Sequence, residues 1–269
     1  MGNSYVEAEF GIIGGSGFYS LLEDVERVEV DTEYGKPSGS VSVGSIAGKS
    51  VAFIPRHGSR HSYPPHLVPY RANIQALSGL GVKRIIATNA VGSLNPEFRI
   101  GQIVAFDQFV NLTHGRPDTF FEKQVAHVST ADPYCAELRT VSTISASGLG
   151  LDYRDGGSVV VVNGPRFSTK AESAFFSRQG FDMINMTQYP EVALAREKCM
   201  CYLALGMVTD YDAGIVGKDI KPVSNKEVLE TFTRSIENVK GLVKAIIKAA
   251  PKERGCACSS ALDDAIIHV

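Results

Sequence analysis

The sequence predicts a single α/β domain with a central sheet flanked by helices, and three observations carry that prediction. Short runs rich in Val and Ile alternate with stretches of helical period. No linker-like stretch or internal repeat divides the 269 residues. The 26 glycines and 12 prolines concentrate at the ends of the apolar runs, where open α/β folds place their ligands. The domain is drawn over residues 1–250, with a surface tail carrying a C-x-C pair over 251–269.

In chain order, strands are expected at 9–14 (EFGIIG), 41–45 (VSVGS) and 50–55 (SVAFIP), each a short apolar run ended by Gly, Ser or Pro. A helical period over 70–80 leads to a strand at 84–88 (RIIAT), with another at 102–107 (QIVAFD). The helix expected over 134–147 precedes a strand at 158–162 (SVVVV), and a helix over 169–179 precedes one at 181–186 (FDMINM). A helix over 190–198 and the apolar strand 202–209 (YLALGMVT) follow. The clearest helix is 225–249, where Val228, Leu229, Phe232, Ile236, Val239, Leu242, Val243, Ile246 and Ile247 recur every three or four residues as one apolar stripe. Ser224 with Glu227 reads as a capping box at its start, and Pro251 stops it.

Composition narrows the function classes. With 44% hydrophobic and 21% charged residues, the chain has enough apolar material for a large core, which excludes bulk disorder. Twenty-seven Lys and Arg against 29 Asp and Glu give a net charge of -2, so the basic surface that a nucleic-acid binder needs is missing. No apolar run approaches the ~20 residues of a membrane span, and the opening MGNSYVEAEF lacks a signal-peptide pattern, so a cytoplasmic protein is expected. The initial Met-Gly does not read as a myristoylation signal, because Val6 stands where Ser or Thr is required.

Five cysteines (Cys135, Cys199, Cys201, Cys256 and Cys258) are too few and too unevenly spread for the framework of a secreted mini-protein. Cys199 and Cys201 fall in the apolar run CMCYLALGMV and read as buried small hydrophobes. Both close pairs are C-x-C rather than C-x-x-C and no histidine pair accompanies them, which is weak support for zinc, and no metal is expected. The tail pair Cys256–Cys258 is evenly open between oxidation, with each other or with an upstream cysteine, and free thiols.

Six places at strand ends can carry chemistry. Gly14-Gly15-Ser16-Gly17 is a turn whose backbone can approach an anion, although it lacks the third glycine of a dinucleotide fingerprint. Arg56-His57 after Pro55 offers a forked donor set and an imidazole, followed by His61 and His66. Thr88-Asn89-Ala90-Val91-Gly92-Ser93 reads as a small polar turn leaving its strand. In Asn163-Gly164-Pro165-Arg166-Phe167-Ser168 an exposed aromatic can stack on a flat ring. Asn185-Met186-Thr187 leads into a helix N-terminus, which favours an anion. Asp210 and Asp212 leave the strand 202–209 together, either as a shared acid pair or as an Asx turn. Together these donors fit one phosphate-sized pocket. No Walker loop or Gly-x-Ser-x-Gly elbow competes with that reading.

The ordered set GIIGGSGFY, RHGSRHSYPPHLVPYRANIQAL, TNAVGSL, GQIVAFDQFVNLT, NGPRFSTKAES, INMTQYPEVALARE and VTDYDA covers most of residues 9–247 and closely resembles the purine nucleoside phosphorylase and methylthioadenosine phosphorylase family. Only the tail and 122–126 match poorly. The resemblance implies a mixed, partly barrel-like sheet flanked by helices, assembled as homotrimers or dimers of trimers. It implies phosphorolysis of 5'-deoxy-5'-methylthioadenosine with inorganic phosphate as co-substrate and no metal or organic cofactor. Carried over by residue, it places phosphate on Ser16, Arg56, His57, Asn89, the Ala90 backbone and Thr187. Met186 meets the ribose, Phe167 stacks on the base, Asp210 is catalytic at N7, and Asp212 accepts from the 6-amino group. His61, with His127 from a neighbouring subunit, walls the methylthio end. Ser168 and the two acids resemble the adenine-accepting type, whereas 6-oxopurine enzymes carry a Glu and an amide there. Asn225 stands where a small apolar residue is usual, and 213–223 is longer than the family pattern. A phosphorylase of broader or 6-oxopurine preference, and a non-catalytic nucleoside-binding protein on the same scaffold, remain alternatives.

Overall fold

Eleven strands and five α-helices are present among the residues that the computed structural model describes, 7–214 and 223–267. The side chains of Ser16 and Asn225, and of Glu227 in the expected capping box, lie outside the described residues. In chain order the first strands are β1 (Phe10–Gly14), β2 (Glu23–Val28), β3 (Val41–Ile46), β4 (Lys49–Pro55) and β5 (Arg84–Ser93). They are followed by β6 (Ile103–Ala105), β7 (Gln108–Asn111), β8 (Tyr153–Asp155), β9 (Ser158–Val161), β10 (Met183–Asn185) and β11 (Cys201–Asp210). The helices are α1 (Tyr70–Gly79), α2 (Ala136–Gly148), α3 (Lys170–Arg178), α4 (Gln188–Glu197) and α5 (Asn225–Ala249).

The strands form one mixed sheet that forks at β5. One path runs β2-β3-β4-β1-β5-β10-β9-β7, while β11 pairs with β5 on a second branch and leads to β6 and β8. The branches do not close into a ring among the described residues, so the barrel-like expectation extends only to this fork. Adjacent residues of the central strands face opposite layers, as a period of two requires. Ile13, Ile54, Ile85 and Ala204 pack with Ile74 and Leu77 of α1 and Val192 and Leu194 of α4. Ile12, Phe53, Ile86 and Leu203 pack with Leu138 of α2 and Leu242, Val243 and Ile246 of α5. Two buried faces explain why these strands read as unbroken apolar runs.

Several expectations are corrected. Residues 88–93 are not a turn but the second half of β5, held in parallel register by β11 from Cys201↔Arg84 to Val208↔Val91. The pairing then skips Thr209 and resumes at Asp210↔Gly92. The short strands β2, β7 and β8 carry no clear apolar period; β2 is the charged, largely exposed edge EDVERV. A 3-10 turn, Ser16–Leu21, follows the glycine loop where no helix is expected. The tail packs back on the domain, with Cys258 and Ala265 buried and Ile266 bridged to Ala126. The five cysteines carry no disulfide in this structure, and the tail residue Cys256 lies with its sulfur 3.3 Å from that of the upstream Cys201. No helix is long and apolar enough to cross a membrane among the described residues.

Candidate active site

Arg56 leaves the end of β4 and is only 3% exposed, so its charge needs a partner. Glu191, in the first turn of α4 and wholly buried, supplies it: Nε and Nη2 each donate to its carboxylate at 2.8 Å. Nη1 donates to the Thr88 carbonyl at 2.8 Å and Nη2 also reaches the Ile13 carbonyl at 3.4 Å. Burial opposes the guanidinium charge, but Glu191 outweighs it and holds the Arg56 pKa above its ordinary value. The forked donor set expected for a phosphate is therefore taken by Glu191. One N–H on Nη1 is left over from these bonds. Tyr202 completes the group by donating its hydroxyl to Glu191 at 2.6 Å.

The next residue of β5 ties this group to the helix start. Thr187 stands at the N-cap position of α4 without capping it and donates its hydroxyl to Asn89 Oδ1 at 3.1 Å. Asn185 Oδ1 accepts from the backbone N–H groups of Thr187 and Gln188 at 2.6 and 2.8 Å, and its amide donates to the Ala90 carbonyl at 3.2 Å. Arg56 and Thr187 thus converge on the consecutive residues Thr88 and Asn89. Thr88 Oγ1 and Asn89 Nδ2 are buried donors with no partner among the described residues. Gly14 is required beside them, because a Cβ there would lie 2.5 Å from Thr88 Oγ1.

His57 approaches from the same turn as Arg56. Its Nδ1 lies 2.9 Å from the Tyr63 carbonyl, and its ring stacks on His61 with centroids 5.9 Å apart. Burial, then the Arg56 charge, lowers its pKa. The ring is thus neutral near pH 7, with Nδ1–H donating to Tyr63 and Nε2 as the acceptor nitrogen.

The acids lie further along the same strand pair. Asp210 ends β11; its Oδ2 accepts from the Thr209 hydroxyl at 2.7 Å and its Oδ1 from the Asp212 backbone N–H at 2.8 Å. The Asx turn is therefore present, with Asp210 Oδ1 accepting from the backbone two residues on. Gly92 makes room for it, since a Cβ there would stand 2.9 Å from Asp210 Oδ1 and 3.3 Å from Asp212 Cβ. Asp212 is 3% exposed, and its Oδ2 has no hydrogen-bond partner among the described residues. Burial raises its pKa, with the Ser168 and Ser173 hydroxyls pulling the other way. Ser168 Oγ is itself a buried hydroxyl with no hydrogen-bond partner among the described residues.

Phe167 is exposed, on the loop before α3. Its neighbour Gly164 lies against Met186, where an added Cβ would meet the sulfur at 2.5 Å, so this loop reaches the Met186-Thr187 step. Among the described residues, His127 makes no hydrogen bond or ring contact with these groups. It lines an open groove of about 820 Å³ with Phe109, Asp118, Phe121 and Tyr189, and its backbone N–H donates to the Ala265 carbonyl at 2.8 Å.

Sequence reasoning missed Glu191, Tyr202 and Asn185 as site residues. The signal for Glu191 was present: it shares the buried stripe of α4 with Leu194 and Ala195, three and four residues on, where a carboxylate needs a cationic partner.

A family model described as Phosphorylase superfamily matches residues 9–248. S-methyl-5'-thioadenosine phosphorylase of Thermofilum pendens is 48% identical over 264 residues, covering 97% of this chain and 99% of its own. Purine nucleoside phosphorylase of Streptomyces coelicolor is 46% identical over 268 residues, covering 96% and 95%. The solved structure of methylthioadenosine phosphorylase from Schistosoma mansoni in complex with adenine matches with a TM-score of 0.90 at 33% identity, covering 97% of this chain and 99% of that one.

Proposed function

The chain belongs to the phosphorylase superfamily, and from that premise we propose that it cleaves 5'-deoxy-5'-methylthioadenosine with inorganic phosphate, releasing adenine and 5-methylthioribose 1-phosphate. One observation supports this reading: a single strand, β5, carries the unpartnered buried donors Thr88 Oγ1 and Asn89 Nδ2 and, further on, meets Asp210 and Asp212 at Gly92. Three residues of strand separate Asn89 from Gly92, ~10 Å at the usual rise, which is the scale of a nucleoside.

Cleavage of the glycosidic bond builds positive charge on the ribosyl ring. A phosphate dianion beneath it stabilises that charge and attacks C1'. Ser16, the remaining Arg56 N–H, His57, Asn89, the Ala90 backbone and Thr187 hold the dianion. The departing base gains negative charge as the bond breaks, and a proton delivered to N7 through Asp210 neutralises it. Asp212 accepts from the 6-amino group; a 6-oxo purine would set acceptor against acceptor. Met186 meets the ribose and Phe167 stacks on the base, with His61 at the 5' substituent. The exposed groove bearing His127 supports a homotrimer, or a dimer of trimers, in which this residue closes a neighbour's 5' pocket. No metal or organic cofactor takes part, and the enzyme works in the cytoplasm on small molecules.

The likeness to the Streptomyces coelicolor enzyme supports a second reading, a broader purine nucleoside phosphorylase. Adenine release from methylthioadenosine, measured with and without phosphate and compared with inosine, decides between them. Phosphate-dependent release with inosine at least 100-fold slower is expected; equal rates would transfer the assignment to the second reading.

A further inference from the structure

Between β7 and α2 the chain runs over the surface, and from Leu112 to Asp132 every residue is exposed or half-buried except Arg116. Arg116 turns inward and is 8% exposed. Nη1 donates to the Tyr189 carbonyl at 2.6 Å and Nη2 to the Asn163 carbonyl at 2.9 Å. The guanidinium lies over the Tyr70 ring, 5.4 Å from its centroid, with Nη1 3.4 Å from the hydroxyl. Unlike Arg56, it has no carboxylate among its hydrogen-bond partners in the described residues. A buried cation held only by dipoles and a ring is costly, and burial lowers its pKa. The reaction proposed above gives it no role.

Its two carbonyl partners stand where the sheet releases two parts of the site. β9 and β10 pair in parallel as far as Val161↔Asn185, and the Val162 N–H still reaches the Asn185 carbonyl at 3.0 Å. Beyond that point one chain enters the loop of Phe167 and Ser168, and the other passes through Met186 and Thr187 into α4. Tyr189 is extended inside the first turn of α4, with φ -106° and ψ 134°, so its carbonyl leaves the helical ladder and needs a donor from elsewhere. Arg116 spans the gap. Its neighbours grip the same two residues: the His114 backbone N–H donates to Asn163 Oδ1 at 3.3 Å, and Asp118 accepts from the Tyr189 hydroxyl at 2.6 Å.

We propose that Arg116 is a positioning residue whose planar fork fixes the base-stacking loop Asn163–Ser168 against the Met186–Thr187 step, an inference that rests on the reaction assigned above. Each seat also has its own anchor. Arg166 holds the loop by a bidentate pair with Glu172 at 2.8 and 2.7 Å, beside the capping box of α3. Asn185 and Asn89 hold Thr187. Loss of Arg116 therefore leaves each ligand its own seat and spoils the spacing between them. Attack of phosphate on C1' depends on that spacing, and an error of ~1 Å costs about 10²-fold in rate. A lysine keeps the charge but not the two fixed donor directions.

The test compares kcat with adenine and phosphate affinities, each ligand alone by calorimetry, in full-length Arg116→Met and Arg116→Lys well below their Tm. Turnover should fall at least 30-fold in Arg116→Met and at least fivefold in Arg116→Lys, with both affinities within threefold of wild type. Arg99→Met, which removes an exposed arginine paired with Asp152, should keep kcat within twofold. A fall of less than tenfold in Arg116→Met overturns the proposal. Affinities that drop as far as kcat overturn it equally, because they report general loss of structure. If Arg116→Met does not fold, Arg116→Lys decides, and a fall of less than twofold there is fatal. Ratios are taken on whichever of methylthioadenosine and inosine the wild type cleaves faster, so a change of substrate alters the function proposed above and leaves the role of Arg116 to be judged separately.

Discussion

At the anion end of the site the buried cation Arg56 is engaged by Glu191, Thr88 and Ile13, whereas at the purine end the buried acid Asp212 keeps a carboxylate oxygen without a partner among the described residues. The first region settles its charge internally before any ligand arrives. The second stores the cost of burial in a raised pKa and recovers it only when a donor comes. On the function proposed above, positioning is built in at one end and discrimination falls to the other.

The largest expected effect breaks the purine end. Asp210→Ala should lower kcat by roughly 10²–10⁴-fold, the usual worth of a positioned acid. Phosphate affinity, measured by calorimetry, should change by less than about threefold; an unchanged turnover would remove Asp210 from the mechanism. Next comes the anion end: Glu191→Ala leaves the Arg56 guanidinium buried and unpaired, which should cost about 3–5 kcal/mol of stability in denaturant unfolding. Partial rescue of phosphate KM by Glu191→Gln, without recovery of the lost stability, would separate positioning of Arg56 from charge compensation.

Asp212→Asn replaces an acceptor by a group that can also donate, so the ratio of methylthioadenosine to inosine turnover should fall by about 10–100-fold. The pH dependence sharpens the same point. An acid with a raised folded pKa gives a stability contribution that is complete below the unfolded value of 3.8 and is lost as pH rises through the folded value. Wild-type stability should decline across that window, and Asp212→Asn should flatten the decline. Adenine binding should weaken as pH falls through the same window, because the acceptor is protonated. His57 carries the smallest expected effect and the opposite sign. Its lowered pKa gives stability that is present above the ordinary 6.5 and lost as pH falls through the folded value, a slope that His57→Gln should remove.

Much of the architecture was legible because buried parallel strands announce themselves as unbroken Val- and Ile-rich runs, as in IIAT and VVVV. The second half of β5 was not, since Thr88-Asn89-Ala90-Val91-Gly92-Ser93 has turn-like composition and is a strand because β11, and at its end β10, pair with it. The edge β2 was hidden by exposed charges. Within the site, Arg56 and Thr187 could be placed from their positions at the ends of predicted elements. Their linkage through Glu191 and Asn89 could not, because it joins residues 135 and 98 positions apart in the chain.

The skipped Thr209 in the β5–β11 pairing has a consequence for how this activity is kept or lost. In an unbroken strand, residues 208 and 210 would point the same way, and Val208 belongs to the apolar core. The extra residue swings the acid round to the other side. Deleting that single threonine would restore regular pairing with the acid still opposite Gly92 and on the side away from Val208, but would remove the hydroxyl that donates to its Oδ2 at 2.7 Å. A descendant of this chain that lost three nucleotides there would keep the carboxylate in its place and lose only the hydroxyl that fixes its direction.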